Sequence, residues 1–396
     1  MISDKVNNSF NLLKKYCESV DFIGYDPYDG LNSIFFDRLP IINNKTIRLY
    51  WIQFFKRCPL NFRTVFRIEK QYNSKAMGLF LSAYCTLYNY EHEEKNNDNI
   101  IFFIKKINEL KSDGYEYPCW GYPFDWQSKA FFIPKNTPNI VTTSFVANAL
   151  LDAYEISKDE ELLIQAKGSC NFILENLHKT NDQFGNYAFA YSPLDQSVVF
   201  NASLLAARLL SRVYSITKDE KLLNASNAAV RYCCTYQHMD GSWAYGKLPY
   251  HQWIDSFHTG YNLECIADVI KYTGNMSYSE NLKKGFKFYI NNFITKEGKP
   301  KYYSNSTYPV DIHSAAQLTI TLIKLNKLEE YGNLFEQIMN WTIDNMQSPK
   351  GYFYFQKTKI YTNKIPYLRW SQAWMYYALS LYIANYHKIN NNENMV

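Results

Sequence analysis

Gln237-His-Met-Asp-Gly-Ser-Trp-Ala-Tyr245 links the end of one amphipathic stretch to the polar loop that precedes the next apolar one. A glycine within a short aromatic turn recurs at intervals of roughly fifty to sixty-five residues, and a period of this size indicates a repeat architecture. Each repeat reads as two helical segments followed by such a turn, so we expect an array of helical hairpins. The turn glycines are Gly121, Gly185, Gly241, Gly298 and Gly351.

The helical segments form two alternating sets. Those of the first set follow the polar loops and are apolar on nearly every face, as in Ser144-Phe-Val-Ala-Asn-Ala-Leu-Leu-Asp-Ala-Tyr154, which predicts burial on most sides. They cover about 72–90, 141–157, 198–216, 256–273, 311–326 and 369–387. The second set is amphipathic and is predicted to lie outside the first, at about 97–112, 159–178, 218–237, 278–294 and 329–346.

Six inner segments and five outer ones leave one outer helix missing. A segment at about 5–20 supplies it if it packs beside the C-terminal helix, which closes six hairpins into a ring. We therefore predict an all-α (α/α)6 toroid that forms a single domain over residues 1–396, with an irregular, insertion-like stretch at about 22–70. A closed ring needs no polar capping repeats, which an open solenoid, the main alternative, would require.

Two short strings support the hairpins. Ser157-Lys-Asp-Glu-Glu161 and Thr217-Lys-Asp-Glu-Lys221 each stand between an inner and an outer segment. Each combines a helix-capping residue with acidic side chains in the first turn, where they favour the helix dipole. We expect an outer helix to begin at each string.

A second repeated string carries a resemblance. Gln237–Trp243 and Gln347-Ser-Pro-Lys-Gly-Tyr-Phe353 share the spacing Q-x3-G-x-aromatic, which resembles the repeat motif of squalene-cyclase and prenyltransferase toroids. In those families the motif is a structural device at the end of an outer helix. The resemblance therefore supports the toroid and implies little about activity.

Longer strings resemble a different group. Gly24-Tyr-Asp-Pro-Tyr-Asp-Gly-Leu-Asn-Ser-Ile-Phe-Phe36 and Gly121-Tyr-Pro-Phe-Asp-Trp-Gln-Ser-Lys-Ala-Phe-Phe132 both place an Asp after a Pro-aromatic pair and a Phe-Phe pair further on. Together with Phe132–Val141 they resemble uncharacterised bacterial proteins encoded in capsule and O-antigen gene clusters. This resemblance covers most of the chain and implies a toroid in polysaccharide biosynthesis, without catalytic residues that could be carried over.

Composition excludes several classes. The 42 Lys and Arg residues nearly balance the 37 Asp and Glu residues, so a nucleic-acid partner is not expected. No apolar run is long enough to span a bilayer and the N-terminus has no signal core, which predicts a cytoplasmic protein with no transmembrane segment. The eight cysteines are scattered without C-x-x-C, and no phosphate-binding loop or G-x-G-x-x-G occurs. We predict neither a bound metal nor another cofactor.

Polar side chains concentrate where the inner helices start. Asp255-Ser-Phe-His258 and Asp311-Ile-His313 stand at equivalent places in adjacent repeats. An Asp at a helix start can simply cap the helix, but an Asp and a His three residues apart also share a face, where the carboxylate can orient the imidazole for acid–base work. We predict Asp255 and His258 as the acid–base pair, with Asp311 as second carboxylate and His313 as the residue that orients it.

Aromatic residues flank the same helix starts, and carbohydrate sites combine such platforms with polar groups. The aromatic content of 17% also fits helix cores in which Tyr partly replaces Leu. The predicted substrate-binding residues are Asp29, Asp125, Trp126, Asp195, Asn201, His251, Trp253, Tyr261, Arg369, Trp370 and Gln372.

These patterns predict a carbohydrate-active protein of cell-surface polysaccharide biosynthesis. It would bind a glycan or a uronate-containing saccharide in the toroid cavity and act as a hydrolase, lyase or epimerase. The helix from Asn201 to Tyr214 is similar at fold level to glucuronyl C5-epimerase and other sugar-active toroids. The alternatives are a non-enzymatic module that binds a glycan or a protein partner, and an isoprenoid-active toroid with an apolar cavity.

Overall fold

The computed structural model describes residues 2–34, 44–91, 93–129 and 131–393, which contain thirteen α-helices. In chain order these are α1 Ile2–Ser19, α2 Lys45–Arg57, α3 Ser74–Glu91, α4 Glu94–Glu109, α5 Ile140–Ser157, α6 Glu160–Asn176, α7 Phe200–Thr217, α8 Glu220–Thr235, α9 Ser256–Thr273, α10 Ser279–Asn292, α11 Ile312–Lys324, α12 Gly332–Met346 and α13 Trp374–Glu393.

The strands in this part of the chain are short and belong to the loops between hairpins. They are β1 Trp126–Gln127, β2 Phe132–Ile133, β3 Lys179–Asn181, β4 Tyr187–Phe189, β5 Val310–Asp311, β6 Gln356–Lys357 and β7 Thr362–Asn363. Strands β1 and β2 pair antiparallel, as do β3 and β4, and β6 lies between β5 and β7 in a three-stranded antiparallel sheet.

The helices form a closed double ring. Helices α3, α5, α7, α9, α11 and α13 each pack against the next, and α13 packs back against α3. Helices α4, α6, α8, α10 and α12 lie outside their inner partners, and α1 fills the sixth outer position against α13 and α12. The predicted (α/α)6 toroid is confirmed, including its closure through the N-terminal helix.

Burial separates the two rings as the sequence predicts. Twelve of the eighteen residues of α5 are buried, whereas α10 buries four of its fourteen. Asp159 caps α6 and Asp219 caps α8, each through its side chain, and the preceding residues, Lys158 and Lys218, adopt left-handed conformations with φ of 56° and 59°. The two predicted hairpin turns are therefore one structure used twice.

The Q-x3-G motif ties neighbouring outer helices together. Gln237 Nε2 donates to the carbonyl oxygens of Gly241 and Asn281, and Gln347 Nε2 donates to those of Gly351 and Ser9. Gly351 has a φ of +97°, and a Cβ there would lie 2.2 Å from the Leu12 carbonyl oxygen. The second copy of the motif thus holds α1 in the ring.

Three local expectations need correction. The stretch at about 22–70 is not wholly irregular, because it contains α2 and a 3-10 turn at Asp29–Asn32. The last inner helix begins with a π-helical turn, Leu368–Ala373, before α13. Asp195 does not cap α7, whose N-cap is Val199. Phe35 and Phe36 of the first long string lie outside the described residues.

Residues 22–34 and 44–70, here called the cover segment, pack against loops at the start of the inner helices. Arg48 Nε donates to Gln127 Oε1 at 2.9 Å, and the Phe55 carbonyl oxygen accepts a hydrogen bond from the Tyr367 hydroxyl at 3.2 Å. The indole of Trp51 donates to the Gly30 carbonyl oxygen at 2.9 Å, which joins the two parts of the cover segment. The start side of the ring is therefore roofed by this segment.

Candidate active site

The first group at the start side is a carboxylate–imidazole pair. Asp255 caps α9, and its Oδ1 accepts the His258 backbone N–H at 3.0 Å. Its Oδ2 lies 2.7 Å from His258 Nδ1 and also accepts the Trp253 indole N–H at 3.0 Å. Asp255 is buried, whereas the His258 side chain is 21% exposed. Because Nδ1 is held by the carboxylate, the other ring nitrogen, Nε2, faces away from Asp255 and is the one free to meet a ligand.

The equivalent pair at α11 is arranged differently. Asp311 caps the helix by accepting the His313 backbone N–H at 2.9 Å, but its carboxylate does not contact the His313 ring. Instead it accepts hydrogen bonds from Trp370 Nε1 at 3.0 Å and Gln356 Nε2 at 2.6 Å. Burial raises the pKa of Asp311 to about 6, against the lowering effect of these hydrogen bonds.

The His313 ring points into the centre of the toroid. It is 1% exposed, and its Nε2 lies 2.8 Å from the Tyr261 hydroxyl, while its Nδ1 has no hydrogen-bond partner in the described structure. Phe257 and Trp374 stack on it with ring centroids 4.5 and 4.4 Å away. Burial lowers the pKa of His313 well below its ordinary value, and the positive charges of Lys75, His258 and Arg369 lower it further. His313 is therefore a neutral imidazole.

Phe257 brings the two imidazoles into one group. Its ring centroid lies 4.2 Å from that of His258 and 4.5 Å from that of His313. Tyr261, one turn further along α9, is 5.9 Å from His258 between ring centroids and hydrogen-bonded to His313. Burial raises the pKa of Tyr261 well above its ordinary value, so its hydroxyl keeps its proton.

A buried lysine completes this group. Lys75, in the first turn of α3, is 3% exposed, and its Nζ lies over the rings of Phe145, Trp374 and Tyr261 at 4.2, 5.1 and 5.3 Å from their centroids. No carboxylate among the described residues pairs with it. Burial lowers the pKa of the Lys75 amine well below its ordinary value, and the nearby Arg369 charge adds to this effect.

Two buried ion pairs connect the site to the cover segment. Arg369 grips Asp26 with two hydrogen bonds of 2.6 and 2.8 Å, and Arg63 Nε contacts Asp29 Oδ1 at 2.7 Å. The Asp26 backbone N–H donates to Asp29 Oδ2 at 2.9 Å, so the two pairs form one network. Burial raises the pKa of Asp29 to about 6, against the opposing effect of Arg63. Asp29 and Arg369 are thus committed to holding the cover segment on the ring.

The predicted aromatic platforms differ in how much of their surface is free. Trp253 is 37% exposed and stacks on Tyr245 with centroids 4.5 Å apart. Trp126 is half-buried beside Tyr28, and Trp370 is 7% exposed with its indole N–H turned toward Asp311. Trp253 and Trp126 therefore offer faces to a ligand from outside, whereas Trp370 lies within the wall.

The remaining predicted polar residues divide between loop structure and unsatisfied groups. Asp195 accepts hydrogen bonds from the backbone N–H and hydroxyl groups of Ser192 and Ser197, and Asp125 Oδ1 accepts the Lys135 N–H at 2.7 Å. Gln372 exchanges two hydrogen bonds with the Phe353 backbone. By contrast, Asn201 Oδ1 and His251 Nδ1 are buried without a hydrogen-bond partner in the described structure, and burial lowers the pKa of His251.

An open cleft of about 370 Å³ lies near this side of the ring. It includes Asp195 and Tyr250, with the rest of its wall formed by Phe131, Phe132, Leu194, Gln196, Ser197 and Leu248. Tyr250 contacts His251, which in turn packs against Tyr245 and Trp253. The cleft therefore adjoins the exposed side of the Asp255–His258 pair.

Sequence reasoning missed Lys75 and Asp26. A signal existed for Lys75, because Asn73-Ser-Lys-Ala-Met-Gly-Leu-Phe80 places one charge in the first turn of an otherwise apolar inner helix. Asp26 sits in the string Tyr25-Asp-Pro-Tyr28, but its partner, Arg369, is 343 residues away, and no local pattern announces such a pair.

No protein-family model matches this sequence, and no curated protein matches it either. Solved structures do resemble it. A cellobiose 2-epimerase from Bacillus thermoamylovorans is 14% identical with a TM-score of 0.65, over 81% of this chain and 90% of the other. A family 76 α-mannanase from Bacteroides thetaiotaomicron is 15% identical with a TM-score of 0.60, over 81% and 88%. A heparin-specific unsaturated glucuronyl hydrolase is 11% identical with a TM-score of 0.60, over 98% and 97%. At these identities the likeness establishes the toroid fold.

Proposed function

We propose that this chain is a sugar-active enzyme that moves a proton at a carbon next to a sugar carbonyl, as an epimerase or isomerase does. The observation that carries the proposal is the Asp255–His258 pair, whose Nε2 is free and partly exposed, beside a second imidazole held neutral by burial. Two such groups at one reacting carbon can remove a proton and return one.

The state of the carboxylates favours imidazole chemistry over glycoside hydrolysis. Hydrolysis needs two carboxyl groups facing the glycosidic bond. Here both oxygens of Asp255 and of Asp311 already accept hydrogen bonds from protein groups, and Asp195 is saturated by Ser192 and Ser197. The ring nitrogens of His258 and His313 are the unsatisfied basic atoms at the site.

The proposed reaction assigns a role to each group. His258 Nε2 takes the proton from the carbon next to the carbonyl of an open-chain sugar, and Asp255 stabilises the imidazolium that forms. The electron pair of the broken C–H bond moves onto the carbonyl oxygen, where the Lys75 ammonium supports the negative charge. Tyr261, hydrogen-bonded to His313, returns a proton to the carbon, so the reaction is redox-neutral.

Substrate would enter from the exposed side of His258. Trp253 and Trp126 are proposed to stack on sugar rings there, and Asn201 and His251 to use their unsatisfied atoms for hydroxyl groups. The remaining predicted contacts, Asp125, Asp195 and Gln372, would shape the loops of this opening.

Solved toroids with similar folds include enzymes described as sugar epimerases and a D-mannose isomerase, which supports a saccharide substrate here. We extend the proposal to cell-surface polysaccharide biosynthesis on the resemblance carried by residues 24–36 and 121–141. An isoprenoid substrate is disfavoured because His313, Lys75 and Asp311 make the centre of the ring polar.

The test uses solvent isotope exchange. The full chain is incubated in D2O with a panel of reducing mono- and disaccharides and uronates, and proton NMR follows exchange at the carbon next to the carbonyl. We expect exchange with the wild type, and a loss of at least a hundred-fold in His258→Asn but not in His178→Asn, an exposed histidine outside the site.

Two other outcomes would redirect the proposal. Cleavage of a glycosidic bond without isotope exchange would indicate a hydrolase. Saccharide binding without exchange or cleavage would indicate a glycan-binding module, and the enzyme proposal would then fail.

A further inference from the structure

The outer side of the cover segment exposes large apolar side chains. Tyr50 is 74% exposed, Leu60 64% and Val65 67%, and Phe54 is 42% exposed one turn after Tyr50 on the outward stripe of α2. An apolar cleft of about 430 Å³ runs through this surface between Ile47, Tyr50, Trp51, Phe54 and Phe66. Single exposed apolar residues are ordinary on protein surfaces, but a contiguous group marks an interaction site.

The hairpin formed by β6 and β7 extends this surface. The Tyr361 hydroxyl donates to the Arg57 carbonyl oxygen at 2.9 Å, and Asn363 Nδ2 donates to the Cys58 carbonyl oxygen at 3.2 Å, so the hairpin docks on the end of α2. At its tip Ile360 is 94% exposed. The apolar surface therefore comes from two chain segments about three hundred residues apart, which only the fold brings together.

The charges of these two segments have one sign. Residues 44–68 and 345–392 contain twelve of the 42 Lys and Arg residues and none of the 37 Asp and Glu residues, so a chain of net charge +5 has a net charge of −7 outside them. Arg63 and Arg369 are neutralised by buried aspartates. Exposed basic side chains remain, with Glu69 as the next acidic residue along the chain; they are Lys45, Arg57, Arg67, Lys359 and Lys364.

We propose that this basic-aromatic face, formed by Tyr50, Phe54, Leu60, Val65, Ile360 and the five exposed basic residues just named, docks on the surface of an anionic lipid bilayer. Aromatic and aliphatic tips insert at the boundary between headgroups and acyl chains, and flanking lysines and arginines pair with the anionic headgroups. No helix in the described chain is both long and apolar enough to cross a membrane, so the contact is peripheral.

A second copy of the chain is a poorer occupant of the same face. Two copies related by a two-fold axis would bring the five basic side chains of each face against those of the other, without acidic partners. A bilayer supplies negative charge and apolar depth within a few ångströms of each other, which matches the arrangement of side chains here.

The experiment measures co-sedimentation of the full chain with vesicles of phosphatidylcholine alone and of a phosphatidylcholine–phosphatidylglycerol mixture. We expect binding to the anionic vesicles that weakens as NaCl is raised. Tyr50→Ser/Ile360→Ser should reduce the affinity at least ten-fold, and Lys359→Gln/Lys364→Gln about five-fold for each charge removed. All four side chains are exposed, so the variants should keep their helical circular dichroism.

Matched controls lie elsewhere on the ring. Phe184→Ser/Met239→Ser removes two side chains that are 76% and 98% exposed, and Lys283→Gln/Lys287→Gln removes two charges from α10. Neither control should change vesicle binding. Failure of the wild type to bind anionic vesicles, or equal losses in the controls, would overturn the proposal. A lipid-independent dimer that Tyr50→Ser/Ile360→Ser dissociates would assign the face to a second copy instead. Because this inference does not depend on the chemistry at His258, the isotope-exchange result leaves it unaffected.

Discussion

The starts of α9 and α11 carry nearly the same residues and put them to different uses. In both, an aspartate caps the helix through the backbone N–H of the histidine that follows. At α9 the histidine is three residues after the cap, and its ring returns to the same carboxylate. At α11 it is two residues after the cap, and its ring turns inward to Tyr261.

One residue of spacing explains the difference. Successive residues on a helix are about 100° apart, so moving the histidine by one position moves its side chain to another face. The i, i+3 pair at α9 yields an exposed imidazole beside a carboxylate, and the i, i+2 pair at α11 yields a buried neutral one. The shared cap therefore conceals two chemical environments, which substitutions can separate.

The largest effect is expected at the exposed pair. His258→Asn should lower kcat about 10²–10⁴-fold, because the proposed acid–base group is lost, with little change in thermal stability. His313→Asn should also reduce turnover, but it should destabilise the fold, because His313 packs between Phe257 and Trp374. Turnover rates and urea unfolding of both variants would check this. Full activity of His258→Asn would remove the basis of the comparison.

Lys75 tests why the buried imidazole is neutral. Its lowered pKa means that the unfolded chain binds a proton more readily than the folded one, so this residue lowers the unfolding free energy at neutral pH and does so less as the pH rises toward 10. Lys75→Met should raise the unfolding free energy by about 1–3 kcal/mol at pH 7, and by less at pH 10. The variant should also lose turnover. Urea unfolding at both pH values measures the gain, and a destabilised variant would contradict this account.

Asp311 tests the buried carboxylate in the opposite direction. Its pKa of about 6 lies above the value of about 3.9 for an unfolded chain, so it stabilises the fold at low pH, and that contribution is lost as the pH rises through 6. Asp311→Asn should therefore gain about 1–2 kcal/mol relative to the wild type between pH 4.5 and pH 8. Parallel unfolding curves at the two pH values would show it. A difference that does not depend on pH would place the ionisation elsewhere.

The smallest effect is expected away from both helix starts. Gln347→Ala removes the hydrogen bonds to the carbonyl oxygens of Ser9 and Gly351 and should lower the unfolding free energy by about 1 kcal/mol without changing turnover. Its counterpart Gln237→Ala should behave alike. An activity loss in either variant would mean that the two helix starts are coupled to the outer ring.

Much of the architecture was predictable because it rests on local patterns. Apolar periodicity separated inner from outer helices, and the strings at Ser157 and Thr217 marked two hairpin turns that the structure reproduces through Asp159 and Asp219. Helix α2 was not predicted, because its apolar side chains Tyr50 and Phe54 face outward and obscure the usual amphipathic pattern.

The sequence by itself determined the ring, its closure through α1, and the positions of Asp255, His258, Asp311 and His313 at helix starts, because each of these depends on residues a few positions apart. Only the tertiary structure decided what each side chain contacts. Lys75 meets Phe145, Tyr261 and Trp374, Arg369 meets Asp26, and α2 meets the β6–β7 hairpin across distances in sequence that no period describes. Burial is a property of the whole ring, so the pKa of each ionisable group, and with it the proposed chemistry, is set by the fold.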